Sequence, residues 1–272
     1  MSNTKKTVSI LTVITASIFM MVLGGCKKDD PATPPARQTS YNLKAKDVLG
    51  VTGIVTFTET SNTTTTVSIT LTGAPSGIHP AEICMNSAIE GGAVSIALNS
   101  VDATGHGSTA ITAMTYSQLV VYDGFLKVLK SAAEPGVILA QGDIGGNVIT
   151  STNKTYILDT IGTFGVSGTA LFEKRVNGNT LVTISLIGAI VGDVYPATIN
   201  LGSIASIGGG PVVKVLNNVD GTTGKSYTNI RKLDSGTVIT YDNWLVYDGY
   251  INIYQTAVSP GNIICHGNIG SN

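Results

Sequence analysis

Metal binding, acid–base transfer and nucleophilic attack all call on histidine, cysteine and carboxylate side chains, and this chain has few of the first two. Its 272 residues include three histidines, His79, His106 and His266, and three cysteines, Cys26, Cys84 and Cys265. A catalytic zinc takes three protein ligands and leaves a fourth position open. The three histidines fall in different segments, and none forms His-x-His or His-x-x-x-His. Cys265 and His266 are adjacent, which on a strand sends them to opposite faces. Glu82 and Cys84, two apart, share a strand face and offer a carboxylate and a thiolate to a soft metal; the blander reading is a surface Glu beside a buried small side chain. Asp102, Asp123, Asp220 and Asp248 sit beside Gly or in turns, where Asp braces a bend by accepting from nearby amides. Calcium would want alternating acids such as Asp-x-Asp-x-Asp. No Gly-x-Ser-x-Gly is present, and no helix with Lys-Ser/Thr follows Gly208-Gly209-Gly210 to cradle a phosphate. The residues therefore assign no catalytic group, no metal ligand and no cofactor.

Aromatic residues offer a different chemistry. Tyr241, Trp244, Tyr247, Tyr250 and Tyr254 crowd one stretch near the end of the chain. Tyr and Trp give large contact area at low entropy cost and stack on sugars or partner side chains, so this group is the candidate binding surface. Its rival role is to cover a sheet edge.

These residues are carried by a segment that occurs twice. Tyr122-Asp123-Gly124, an apolar strand and Gly142-Asp143-Ile144-Gly145 recur as Tyr247-Asp248-Gly249, an apolar strand and Gly267-Asn268-Ile269-Gly270, each pair of glycines 125 residues apart. Further upstream Val51 to Phe57 and Val67 to Leu71 alternate apolar with Thr and Ser, the pattern of half-buried strands. Val166 to Lys174 and Val182 to Leu186 repeat this around Asn177-Gly178, a type I′ hairpin signal. Leu126 and Val128, with Ile251 and Ile253, mark the core face. Short strands separated by turn signals, in both halves, predict an all-β chain of two tandem antiparallel β-sandwiches of immunoglobulin-like, Greek-key type. A helical turn is expected before each Tyr-Asp-Gly. The domains are placed at residues 41–147 and 156–272, joined near Asn147 to Lys154. Cys84 and Cys265 fall at non-equivalent positions of the two halves, which favours buried free thiols over a disulfide.

The first 25 residues read as a targeting segment. Lys5 and Lys6 precede an apolar run, Val8 to Val22, too short for the roughly 20 residues a membrane span needs. Leu23-Gly24-Gly25-Cys26 resembles the bacterial lipoprotein signal, in which the cysteine is acylated and becomes the mature N-terminus. Residues 26–40, charged and Pro-rich, are expected to form a flexible tether. The Cys-Lys-Lys-Asp-Asp start is similar to lipoproteins of the Bacteroidetes group, which implies an outer-membrane protein displayed on the cell surface. With a formal net charge of −1 and no basic stripe, the chain is not expected to bind nucleic acid.

The duplicated pieces resemble the CHRD domain, named for chordin. They are the Pro80-Ala81 and Pro196-Ala197 turns, Gly91-Gly92-Ala93-Val94 and Gly209-Gly210-Pro211-Val212, Leu98-Asn99-Ser100-Val101-Asp102 and Leu216-Asn217-Asn218-Val219-Asp220, and the closing segments. The resemblance implies all-β domains with no catalytic activity firmly attached. Members of that family commonly carry a His-x-His pair after Pro-Ala and another His after Asp-Gly. Here those positions hold Glu82 and Cys84, Thr198 and Asn200, and Leu129 and Tyr254. The expectation is a lipid-anchored envelope protein that binds a protein or glycan without catalysis. A metal-dependent enzyme or redox protein of the dismutase-like kind, and a structural spacer, are the alternatives.

Overall fold

Alternation of apolar and hydroxyl residues drives several strands of the molecule, the apolar set turning inward and the Thr and Ser set outward. The computed structural model describes residues 36–206, 209–255 and 262–272. The leader, Cys26 and the tether up to residue 35 lie outside the described residues. The first eight strands are β1 (Gln38–Ala45), β2 (Thr52–Ser61), β3 (Thr64–Thr72), β4 (His79–Met85), β5 (Val94–Val101), β6 (His106–Ile111), β7 (Asp123–Leu129) and β8 (Ile138–Gly145), with a short helix α1 (Tyr116–Leu119) before β7. The second set repeats it as β9 (Ile149–Thr160), β10 (Ser167–Arg175), β11 (Thr180–Ile187), β12 (Val194–Leu201), β13 (Val212–Asp220), β14 (Lys225–Ile230), β15 (Asp248–Tyr254) and β16 (Ile263–Gly270), with α2 (Tyr241–Trp244) before β15. Both helical turns lie where the sequence predicts them, each closed by a capping box: Thr115 with Gln118, and Thr240 with Asn243.

The strand order is β5-β4-β7-β8-β1-β2-β3-β6 in the first unit and β10-β11-β14-β13-β12-β15-β16-β9 in the second. The two are one topology, since β3 and β11 each lie beside the strand three further along the chain, a Greek-key crossing. The expected open sandwich gives way to a closed barrel in the second unit, where β9 pairs with both β10 and β16. In the first unit β5 and β6 are the two free edges, and side chains bridge them. The Asn99 amide N–H donates to Thr109 Oγ1 at 2.8 Å and its side chain to the Ser108 carbonyl at 2.7 Å. Asn217 makes the same pair of bonds, to Thr228 and Tyr227, at 2.9 and 2.6 Å. The repeated Leu-Asn-x-Val-Asp is thus a seam, not a site.

Two expected boundaries move. The first strand starts at Gln38, inside the segment assigned to the tether, and the second unit starts at Ile149 rather than 156. The Asn177-Gly178 hairpin exists, but Gly178 alone has positive φ (+84°) while Asn177 does not. The turn is therefore a three-residue loop with glycine in the left-handed position, in place of type I′.

Leu126, Val128, Ile251 and Ile253 are fully buried, as their alternation predicts. The closing glycines have steric reasons. A Cβ on Gly142 or Gly267 would collide with the carbonyl of Asn42 or Ile157 on the neighbouring strand, and Gly145 and Gly270 turn at positive φ against Tyr122 and Tyr247. The duplicated segment is scaffold.

The two barrels meet at corresponding ends. The end of β8, the start of β9 and the β10–β11 hairpin lie at this joint, and the connection between units is only Gly146–Val148. Asn177 N–H donates to the Gly146 carbonyl and Val176 N–H to the Val148 carbonyl, both at 2.9 Å.

Candidate functional site

The aromatic group expected to form a binding surface is mostly interior. Trp244 is 0% exposed, Tyr241 1% and Tyr250 4%. Trp244 stacks edge-on against Phe172 (ring centroids 6.0 Å apart) and tilted against Tyr247 (4.9 Å). Helix α2 swings Tyr241 and Trp244 into the open end of the second barrel as a plug, and α1 does the same with Tyr116 and Leu119. The Tyr250 hydroxyl accepts from Gly210 N–H at 2.9 Å. Tyr247 and Tyr254 are half-buried. These residues stabilise the barrel, and no exposed platform is left.

The positions matched to the CHRD-type histidines do converge, but on other chemistry. Thr198 donates to Asn200 Oδ1 at 2.7 Å and lies 3.2 Å from the Tyr254 hydroxyl. In the first unit Glu82 pairs with Lys127 at 3.2 Å, and Cys84 is wholly buried beside it. Burial pushes the Cys84 thiol up, opposed by Lys127, and pushes Cys265 up to about 12. Both cysteines are unbridged and protonated at neutral pH. His79 is buried, its ring nitrogens 2.6 and 2.9 Å from the Lys130 and Pro75 carbonyls, where it ties loops together. His106 lies 3.4 Å from Thr70 Oγ1 on an outer face. On His266 burial lowers the pKa and Asp159 raises it. Among the described residues no three His, Cys, Asp or Glu side chains group in a way that could hold a metal.

A cleft of about 450 Å³ opens instead at the joint, a place and a size typical of small-molecule sites. Its origin is a splayed pair of strands. β1 and β8 pair only at Lys44–Gln141 and Ala45–Ala140. Beyond that point β1 follows β2 while β8 follows β7 toward the joint. Ser40, Asn42 and Lys44 line the β1 wall, Gln141 and Asp143 the β8 wall, and Ile89, Val148 and Ile149 close it from the loop after β4 and the start of β9. Tyr41 forms part of the floor. Burial pushes its hydroxyl up, and a hydrogen bond to the Gly145 backbone works against this.

One wall is fixed by a buried charge. Arg175, from β10 of the second barrel, is wholly buried and donates through Nη1 to Asp143 Oδ2 at 2.6 Å and to the Asn147 carbonyl. The other carboxylate oxygen of Asp143 accepts from Ala88 N–H at 2.7 Å and so holds the loop that carries Ile89. Asn177 donates to Asp123 at 2.8 Å, and Glu90 accepts from Asn229 at 2.9 Å with Arg231 at 3.6 Å. Asn268, equivalent to Asp143, accepts from Ile204 N–H and Ser203 in the same way. The duplicated position thus anchors a loop in both copies, and only the first copy carries the charge that docks the second barrel.

Asp143 is consumed by Arg175 and Ala88, Ser40 shares its hydroxyl with Thr56 at 2.8 Å and Gln141 donates to the Ala88 carbonyl at 3.4 Å, so the cleft offers Asn42, the Lys44 ammonium and the remaining capacity of Ser40 and Gln141. That set can donate and accept hydrogen bonds, and it lacks an arranged nucleophile and base. A groove of about 440 Å³ runs along the other side of β1, past Thr52, Ile54, Thr70 and Thr72, and shares Asn42 and Lys44 with the cleft. None of these residues is marked by a motif. The signal available in the sequence was the difference between copies, because Asn42 and Lys44 stand where the second copy has Ile157 and Asp159. Compared with protein-family models, with curated proteins and with solved structures, the chain has no match.

Proposed function

We propose that this is a non-catalytic binding protein of the bacterial outer membrane, held by a lipid on Cys26, that takes an uncharged glycan in the joint cleft. The observation that carries the reading is the cleft itself, with Ser40, Asn42 and Gln141 as neutral hydrogen-bonding groups beside the apolar Ile89, Val148 and Ile149. Saccharides present that mixture of hydroxyls and C–H faces. The groove on the far side of β1 gives a longer oligosaccharide a path across Asn42 and Lys44. The CHRD-like reading expects duplicated all-β units; the second unit is a closed Greek-key barrel and the first an eight-stranded sheet of the same strand order.

The test is calorimetric titration of the purified protein with neutral oligosaccharides selected on a glycan array, repeated with Asn42→Ala and Gln141→Ala. Each neutral hydrogen bond lost costs about 1 kcal/mol, so each variant should weaken binding roughly fivefold. Retention of no glycan, or unchanged affinity in both variants, defeats the proposal.

A further inference from the structure

The far ends of the two barrels differ in composition. Three described loops cap the second barrel opposite the joint, at residues 161–166, 188–193 and 221–224. They touch one another: Gly192 N–H donates to Thr222 Oγ1 at 3.2 Å, Gly221 N–H donates to the Asp193 carbonyl at 2.8 Å, and a Cβ on Gly188 would meet the Gly165 carbonyl. Large apolar side chains stand out from this end. Phe164 is 44% exposed, Ile187 74%, Ile190 64%, Val191 75% and Val194 51%. Asp193 is the one charged residue in the three loops. The corresponding loops of the first barrel carry Lys46 and Asp47 beside the exposed Leu49 (93%) and Ile78 (68%), and Pro75-Ser76 stand where the second has Ile190-Val191. Five large exposed apolar residues thus gather at the second tip, against Leu49 and Ile78 at the first. Monomeric proteins rarely leave so many adjacent aliphatic groups in water.

We infer that this tip inserts shallowly into the bilayer that holds the protein's own lipid, so that the body is attached at two points. The inference rests on the lipid anchor proposed at Cys26. The strands between joint and tip, nine residues in β10, span roughly 30 Å at a rise of about 3.3 Å per residue. β1 enters at the joint, and the chain from Cys26 to Gln38 reaches at most about 40 Å. The acylated residue can therefore lie in the same membrane surface that the tip touches. An apolar loop with almost no charge, close to a bilayer already fixed by an acyl chain, supplies the second signal that stable peripheral attachment requires.

The test places an environment-sensitive dye on the full chain at Val191→Cys, and at its first-barrel counterpart Ser76→Cys as control. Cys84 and Cys265, both wholly buried, stay unlabelled in the native protein. The protein is incorporated into phosphatidylcholine–phosphatidylglycerol vesicles. Blue-shifted emission at position 191, quenched by brominated acyl chains and absent at position 76, is the expected result. Ile190→Asp combined with Val191→Asp should abolish it. Unchanged emission at 191 in vesicles overturns the inference, as does a blue shift without vesicles, which would mean that the tip packs on a second copy. Mass analysis of the N-terminal peptide decides separately whether Cys26 is acylated. If it is not, the anchor reading fails, and the same dye on Cys26→Ser protein added to preformed vesicles still decides the tip.

Discussion

Arg175 of the second barrel donates to Asp143 of the first at 2.6 Å with no part of its side chain exposed. This pair crosses the joint and holds one wall of the cleft, and it predicts an asymmetry between two conservative changes. Asp143→Asn keeps the bond to Ala88 but leaves the guanidinium buried without a counter-charge. Breaking a buried pair from one side costs about 3–5 kcal/mol. Asp143→Asn together with Arg175→Met removes both charges and should recover most of that loss. Urea denaturation of the single and double variants measures both numbers. Equal instability of the two would mean that the charge is not what docks the barrels.

Trp244 gives a second expectation, opposite in kind to a binding role. Trp244→Ala empties the plug at the end of the second barrel and should cost about 3–5 kcal/mol. The affinity of the folded fraction for glycan should stay unchanged, since the residue contacts Phe172 and Tyr247 rather than solvent. Thermal melting and titration on the same sample separate the two effects.

The thiols set a pH dependence. Burial pushes the folded Cys265 thiol up to about 12, from an ordinary value of 9.0. The unfolded state therefore loses its proton first as pH rises. The stability due to the buried neutral thiol is complete below about pH 9 and is lost progressively between pH 9 and 12. Burial raises Tyr41, Tyr156, Tyr241 and Tyr247 as well, which adds to the loss above pH 10. Melting temperature should fall steadily from pH 9 upward, and Cys265→Ala should reduce the slope across pH 9–10.

Gly142 and Gly267 should each reject a methyl group. The added Cβ would press on the Asn42 or Ile157 carbonyl of the neighbouring strand, and overpacking of this kind costs about 1–3 kcal/mol. Gly136→Ala, in open space, is the control. Chemical denaturation should find Gly142→Ala and Gly267→Ala both less stable than Gly136→Ala.

Much of the fold was legible because duplication supplies two readings of each strand. The core positions Leu126, Val128, Ile251 and Ile253 and the capped turns before Tyr-Asp-Gly follow from alternation and short-range chemistry. The strands β1 and β9 escaped notice for a physical reason. Most residues in the first half of β9 are exposed, so Ile149 to Thr155 shows no apolar alternation. In β1 only Leu43 is fully buried. The aromatic group misled because a four-residue helix is too short to show a period, and a plug has the composition of a platform. The cleft could not be read at all, since it depends on how far β1 and β8 separate.

The pairing of the first strand of each unit with its eighth also governs how fast that unit can form. Lys44 meets Gln141, and Asp159 meets His266, across about a hundred intervening residues, and closure over such distances is slow, on the order of milliseconds to seconds. Neither barrel can close before its eighth strand is available. The Arg175 side chain has no Asp143 wall to enter until the first barrel is complete. Docking is therefore the step that waits for both units, because the Asp143 wall and the Arg175 side chain belong to different cores.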